Sequence, residues 1–288
     1  SQDITLGSYY LTYQRRPHGR NGSKKKQEET PLKAFNDYFE VLRALDSDSI
    51  DIHEKIRVRN PDFGADGRLW GDAKQAFIET TAGRCIFNEV WPPEMGFFNK
   101  PADKKALGQM IKECFDHVGR ERTIVVLDDL KDLGYEYATR AGFSMAIADM
   151  IIPDDKWKRI DMAHKELQRV GEQRRQGVIT ELERYNKSVD IWTQANSNLA
   201  TSLFHTLESN RGSWELNPVF AMLDSGARGS KDQVRQLAGM RGLMAKPSGE
   251  IIERPILSNF REGLSVLEYF LSSHGARKGL ADTALKTA

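Results

Sequence analysis

The stretch from Asp154 to Ser209 constrains this chain more than any other, because its apolar residues recur at helical spacing with a single short interruption. Trp157, Ile160, Leu167 and Val170 mark one helix, and Leu182, Tyr185, Val189, Trp192, Leu199 and Leu203 mark a second at near-heptad spacing. Between them lies Gln176-Gly-Val-Ile-Thr180, where Thr180 and Glu183 form the T-x-x-E box that satisfies the first amides of a helix. Two long helices with matched stripes and so short a connection close as an antiparallel hairpin. Its charged outer faces predict a hairpin that projects into solvent and offers its tip to partners.

Before this hairpin the pattern is mixed. Helical spacing links Phe35, Tyr38, Phe39 and Leu42, and Ile52, Ile56 and Val58 alternate with charged residues as a half-buried strand does. A hairpin turn is expected in Asn60–Gly67, followed by a β-rich run from Phe77 to Val90. Leu107, Met110, Ile111, Cys114 and Val118 lie on one helical stripe stopped by Gly119. A buried strand is expected over Thr123–Leu127, a helix from Asp128 to Ala141 closed by Gly142, and a largely buried strand over Phe143–Ile152. The fold class that follows is α+β and mostly helical: small mixed sheets in the first half, the helical hairpin, a loop-rich segment and a terminal helix. The expected domains are 1–153, 154–209, 210–258 and 259–288.

Composition closes several classes. With 39% hydrophobic and 29% charged residues among 288, the chain is neither disordered nor collagenous. No apolar run approaches the roughly 18 residues that span a bilayer, and no export signal opens the chain, so a soluble, cytoplasmic protein without membrane contact is expected. A net charge of +1 makes any nucleic-acid surface a local one, and the basic run Gln14–Lys26 reads as a solvated loop. Cys85 and Cys114 have no partner at ligand spacing and read as small core residues. Phosphate-loop, dinucleotide, nucleophile-elbow and zinc-protease motifs are missing, and Asp62-Phe63-Gly64 reads as a turn. Asp128-Asp129 and Asp154-Asp155 read as helix-start acids that complement the dipole, not as Mg²⁺ ligands.

Glycine and arginine cluster in Asp224-Ser-Gly-Ala-Arg-Gly-Ser230 and Val234-Arg-Gln-Leu-Ala-Gly-Met-Arg-Gly-Leu-Met244. Glycine permits close backbone approach, and the planar forks of Arg228, Arg235 and Arg241 suit phosphate oxygens, so an anionic ligand is physically sensible. Packing alone would explain the same residues. Asn259 to Ala288 reads as helix throughout, softened by Gly275 and Gly279, with fraying expected near Ala288.

These segments carry a resemblance. Asn217-Pro-Val-Phe through Leu243-Met-Ala-Lys-Pro247, Asn259-Phe-Arg-Glu-Gly-Leu264, and His274-Gly-Ala-Arg-Lys-Gly-Leu-Ala-Asp-Thr-Ala-Leu-Lys-Thr-Ala288 resemble the β′ (largest) subunit of bacterial DNA-directed RNA polymerase. Weaker similarity reaches back to Ser1-Gln-Asp-Ile-Thr-Leu-Gly-Ser-Tyr-Tyr10, while Tyr13–Ile50 fits the family pattern poorly. The resemblance implies an internal piece of that subunit: the pore region, the rim helices of the secondary channel and the start of the bridge helix. The family's three Mg²⁺-binding aspartates would lie upstream. Asn60–Gly67 lacks their D-x-D-x-D spacing, so no catalytic residue and no metal ligand is expected here, and Mg²⁺ belongs to the intact enzyme.

By the same resemblance, Arg228 and Arg235 contact triphosphate or pyrophosphate, and the Gly239–Pro247 loop supports trigger-loop and bridge-helix folding. His274, Arg277, Lys278, Asp282, Thr283, Lys286, Thr287 and Ala288 are bridge-helix positions beside the active centre, the last two meeting the template base. Glu183, Asn186, Lys187 and Asp190 match the rim where Gre- and DksA-type factors and the alarmone ppGpp bind. Implied partners are the β, α, ω and σ subunits, template DNA, RNA and nucleoside triphosphates (NTPs). The implied activity is DNA-templated RNA synthesis by the intact nucleotidyltransferase, with this piece inactive alone. A stand-alone interaction module presenting a coiled-coil tip is the alternative, and an autonomous nucleic-acid binder is disfavoured by the near-zero charge.

Overall fold

The structure, a computed structural model, describes residues 2–15, 32–65, 67–209, 216–246 and 248–287. The basic run lies largely outside these residues, as do Pro247 and Ala288, and the side chains of His274, Lys278 and Thr287 are not described. The chain divides into two compact units, Ser1–Ser144 with Ala221–Arg228, and Met145–Phe220 with Gly229–Ala288.

The first unit is built on crossed helices. Helix α1, Gln2–Thr12, lies across α5, Arg120–Ala141, where two glycines face each other. A Cβ on Gly7 would stand 1.9 Å from the Gly134 carbonyl oxygen, so the crossing admits no side chain. Helices α3, Ala82–Glu89, and α4, Lys104–Val118, complete a core in which Leu11, Phe87, Met95, Met110 and Cys114 are buried. Cys85 is buried too, and burial pushes its thiol up to about 12, as expected of a core residue.

A second core lies under one three-stranded mixed sheet. Strand β1, Ala34–Phe35, runs parallel to β2, Lys55–Arg59, and β2 pairs antiparallel with β3, Phe77–Thr81, with Lys55 opposite Thr81. Ile56, Val58 and Ile78 point inward against α2, Tyr38–Asp46, whose N-terminus Asp37 caps by accepting from the Glu40 amide at 2.8 Å. The period-two reading of Ile56 and Val58 therefore holds, although the β-rich run after Phe77 ends at Thr81, whose side chain caps α3.

Two expected strands are absent. Thr123–Leu127 is the second turn of α5, with Thr123, Val126 and Leu130 buried at helical spacing and Ile124 and Val125 exposed. A β-branched run this short carries no decisive period, and the helix-favouring residues on both sides win. Phe143–Ile152 is coil with one 3₁₀ turn at Ile147–Asp149, and Met145 and Ile147 are exposed. Asp128 and Asp129 consequently sit inside α5 rather than at its start, with Asp128 paired to Lys131 at 3.3 Å.

In the second unit α6, Lys156–Arg175, and α7, Glu181–Ser209, form the hairpin. Its core contains Ile160, Ala163, Trp192, Leu199 and Met240. Trp157 and Leu182 depart from the predicted stripe and are exposed. Lys156 takes the inward position, 0% exposed, paired to Glu262 and stacked 5.1 Å from the Trp157 ring. Asp155 stands at the N-cap of α6 without capping it. Its carboxylate instead accepts from Arg159 Nε at 2.6 Å and Ser202 Oγ at 2.9 Å, which ties α6 to α7. Helices α8, Pro218–Asp224, α9, Lys231–Ala238, and α10, Val266–Thr287, follow, so Asn259–Ser265 is turn rather than helix.

Candidate functional site

In the first unit, Arg228 lies just beyond α8. Its amide donates to Met222 O at 3.3 Å, its side chain is exposed, and among the described residues no carboxylate pairs with its guanidinium. Asp62 is the reverse case. It is 1% exposed, pairs with Arg68 and accepts from the Phe97 amide at 2.6 Å. The Asp62–Gly64 triplet is the turn its residues predicted, and this acid is committed to holding a loop.

In the second unit the hairpin tip follows its sequence signature closely. The Thr180 amide donates to Glu183 Oε2 at 2.7 Å, and the Glu183 amide returns to Thr180 Oγ1 at 3.3 Å. The Thr180 amide, more than any nearby charge, holds the Glu183 carboxyl below its ordinary range. Glu183, Asn186, Lys187 and Asp190 fall at i, i+3, i+4 and i+7 on α7, and all four are exposed, so they share one solvent face. The neighbouring Arg184 is turned the other way. It makes a bidentate pair with Glu253 at 2.9 and 2.8 Å, and Tyr185 Oη donates to Ile251 O at 3.0 Å, clamping the start of α7 to the bridge Ala245↔Ile251.

Arg235 stands on α9, whose N-terminus Ser230 and Gln233 close with a capping box. Its side chain is 15% exposed, and Nη1 donates to Asn196 Oδ1 at 2.9 Å and to the Met240 and Arg241 carbonyls, each at 3.1 Å. That guanidinium is held in one orientation by α7 and by the loop after α9. Asn259, fully buried, bonds the Ala238 and Gly239 carbonyls from the other side.

Helix α10 is fixed at its base. Glu268 accepts from the Leu257, Ser258 and Ser265 amides at 3.0–3.1 Å and from the hydroxyls of Ser258 and Ser265. Burial opposes its ionisation, yet these hydrogen bonds outweigh it and lower the carboxyl to about 2. Beyond this base the helix is bare: from Ala276 to Lys286 every described side chain is exposed, including Arg277, Asp282, Thr283 and Lys286. Thr283 Oγ1 donates back to Gly279 O at 2.7 Å, and a Cβ on Gly279 would meet nothing within 4 Å. Gly279 therefore serves no close packing among the described residues.

Sequence reasoning missed Asn196, Lys156, Glu262 and Glu268. Asn196 carried a readable signal, since it falls on the stripe of Trp192, Leu199 and Leu203 where a polar residue needs a partner. Glu268 carried one as well, since Ser265 and Glu268 spell the S-x-x-E box that closes at the start of α10, the Ser265 amide donating to Glu268 at 3.0 Å and the Glu268 amide to Ser265 Oγ at 3.4 Å, whereas Lys156 and Glu262, paired across 106 residues, carried none.

Comparison with known families decides the assignment. Residues 1–150 match the family described as RNA polymerase Rpb1, domain 3, residues 179–261 match RNA polymerase Rpb1, domain 4, and residues 263–288 match RNA polymerase Rpb1, domain 5. The chain belongs to the RNA polymerase Rpb1 family. Among relatives of the family, the DNA-directed RNA polymerase subunit beta′ of Methylacidiphilum infernorum is 56% identical over all of this chain, which covers 20% of that protein. The subunit beta′ of Opitutus terrae is 50% identical with the same coverage, and that of Aquifex aeolicus is 46% identical with 17% of its length covered. The chain thus spans about a fifth of the length of the Rpb1-family relatives it matches. The match includes Tyr13–Ile50, the region expected to depart from the family pattern.

Among the described residues no helix is long and apolar enough to cross a membrane. No three His, Cys, Asp or Glu side chains among them are placed to share a metal ion. Asp62 is taken by Arg68 and the Phe97 amide, and Asp155 by Arg159 and Ser202, so neither carboxylate is open to a Mg²⁺ ion.

Proposed function

We propose that this chain is the part of a bacterial DNA-directed RNA polymerase that shapes the secondary channel, gives nucleotides access to the active centre, receives channel factors on the tip of α6–α7, and begins the bridge helix with α10. The observation that carries the reading is α10 itself: a helix anchored by Glu268 at one end and exposed over its remaining turns suits a rod whose surroundings come from the rest of an assembly. Those surroundings would be the remaining polymerase subunits with template DNA and RNA.

In this reading Arg228 and Arg235 each contact triphosphate or pyrophosphate oxygens through charge-assisted hydrogen bonds. The three acceptors on Arg235 fix its fork before a nucleotide arrives, which reduces the ordering cost of binding. Arg277, Asp282, Thr283 and Lys286, with His274, Lys278, Thr287 and Ala288, line the active centre. Glu183, Asn186, Lys187 and Asp190 form the face met by Gre- or DksA-type factors and by ppGpp. Phosphoryl transfer in such an enzyme relies on positioning and on Mg²⁺ that neutralises developing charge. The acids holding that ion lie outside this chain in this reading, and no step here runs through it.

Two assays test the reading. The chain alone, given primer, template and NTPs, is expected to synthesise no RNA, and measurable extension overturns the assignment of chemistry elsewhere. A Gre-type factor is expected to bind the chain and to lose at least about tenfold in affinity, roughly 1.4 kcal/mol, when Asn186 and Asp190 are both replaced by Ala. Unchanged binding removes the tip from the proposal.

A further inference from the structure

The first unit holds a cleft of about 600 Å³ that no part of the transcription reading uses. It runs along β3, and its lining includes Arg57, Trp70, Gln75, Phe77, Glu79 and Asn99. Strand β3 is the edge of the sheet, since the order is β1-β2-β3.

Two hydrogen bonds establish which groups that edge presents. The Arg57 amide donates to Lys33 O at 2.9 Å, on the β1 side, so Arg57 and its partner Glu79 form a pair that is not bonded across β2–β3. Independently, Asn99 Nδ2 reaches the Glu79 carbonyl at 2.8 Å from outside the sheet. An antiparallel residue directs its N–H and C=O to the same side. The Glu79 amide, and the Phe77 amide two residues earlier, therefore point out of the sheet, and among the described residues neither meets an acceptor.

We infer that this edge is a docking site for an extended polypeptide segment lying outside the chain, added to the sheet beside β3. Open edge donors call for a strand, because a partner backbone supplies carbonyls at the matching repeat. The carboxamide of Gln75 is suited to a peptide backbone, whereas that of Asn99 is already held between the Glu79 carbonyl and Arg84 Nη1, and the Phe77 ring, with Arg57 stacked 4.9 Å above it, walls the cleft for an apolar side chain. The mixed signs of Arg57, Asp72 and Glu79 disfavour a polyanion, which would meet two carboxylates. The source of such a strand is at hand, since relatives of this chain carry about four-fifths of their length beyond the part it matches.

Amide hydrogen exchange resolved to single residues, on the free chain and on the assembled polymerase without nucleic acid, tests this. Exchange at Phe77 and Glu79 is expected to slow at least about tenfold on assembly, while Ile78 and Thr80, bonded to β2 in both states, change little. Glu79→Pro removes one outward donor at a position an edge strand tolerates, and is expected to abolish the slowing at Phe77. Should that variant unfold, Gln75→Ala is expected to weaken the same protection. Equal exchange in the two states overturns the proposal, as does slowing that appears only once DNA or RNA is added. Both results are separate from the RNA-synthesis test, because the readout is local to β3.

Discussion

The two helices of the hairpin, 20 and 29 residues long, and helix α10, 22 residues long, lie within one unit, yet they are held in opposite ways. The hairpin buries Ile160, Trp192 and Leu199 in one core with Met240, adds the Asp155–Ser202 tie, and clamps its tip through Arg184 and Glu253. Helix α10 receives its support at one end, from Glu268 and from the turn that Lys156 and Glu262 pin to α6, and leaves Leu280 75% and Leu285 76% exposed. An amphipathic stripe met by a second stripe makes a self-sufficient element. A helix without one depends on whatever the assembly places beside it.

That contrast can be broken by substitution. The largest expected effect is at the base of α10: Lys156→Ala leaves Glu262 without its buried partner and should lower unfolding free energy by about 3–5 kcal/mol in denaturant titration. The double replacement of Lys156 and Glu262 by Met should recover most of the loss, since it removes both charges. Leu199→Ala, 1% exposed in the hairpin core, should cost about 2–5 kcal/mol. Leu280→Ala should change stability of the chain by less than about 0.5 kcal/mol. A comparable cost at both leucines would erase the distinction between the two regions.

Glu268 offers a pH test of intermediate size. Its carboxyl is lowered from 4.5 to about 2, so its contribution is complete above its ordinary value and is lost as pH falls from about 4.5 through about 2. Protection factors of amides over the first turns of α10, corrected for the intrinsic pH dependence of exchange, should fall across that window in the native chain and show no such step in Glu268→Gln. The variant should already exchange faster at neutral pH, by roughly 1–3 kcal/mol of lost hydrogen bonding.

How much of this was legible in the sequence follows from how many levels of pattern agreed at each place. The hairpin was readable because stripe, short connection and capping box all pointed the same way, and Thr180 with Glu183 forms the predicted box. Thr123–Leu127 was not, because β-branched residues favour strands while the period that buries Thr123, Val126 and Leu130 emerges only against α4. Trp157 misled for a related reason: its ring is used as a lid over the Lys156 ammonium, a role that hydrophobic spacing does not encode. Helical spacing predicted a hairpin with charged outer faces, while Glu183, Asn186, Lys187 and Asp190 were singled out by the resemblance, and the structure places these four on one exposed face of α7. The orientation of Arg235 could not be read from the sequence, because it depends on Asn196, 39 residues earlier in the chain.

The proposed function depends on the exposed turns of α10 being covered by other parts of a polymerase. Limited proteolysis with a protease specific for arginine measures this at Arg277, the exposed residue just beyond the anchored turns. Cleavage after Arg277 is predicted to be rapid in the isolated chain and at least about tenfold slower in the assembled enzyme, where the proposed function has other subunits cover the helix. Equal rates in the two states, or resistance already present in the isolated chain, would contradict it.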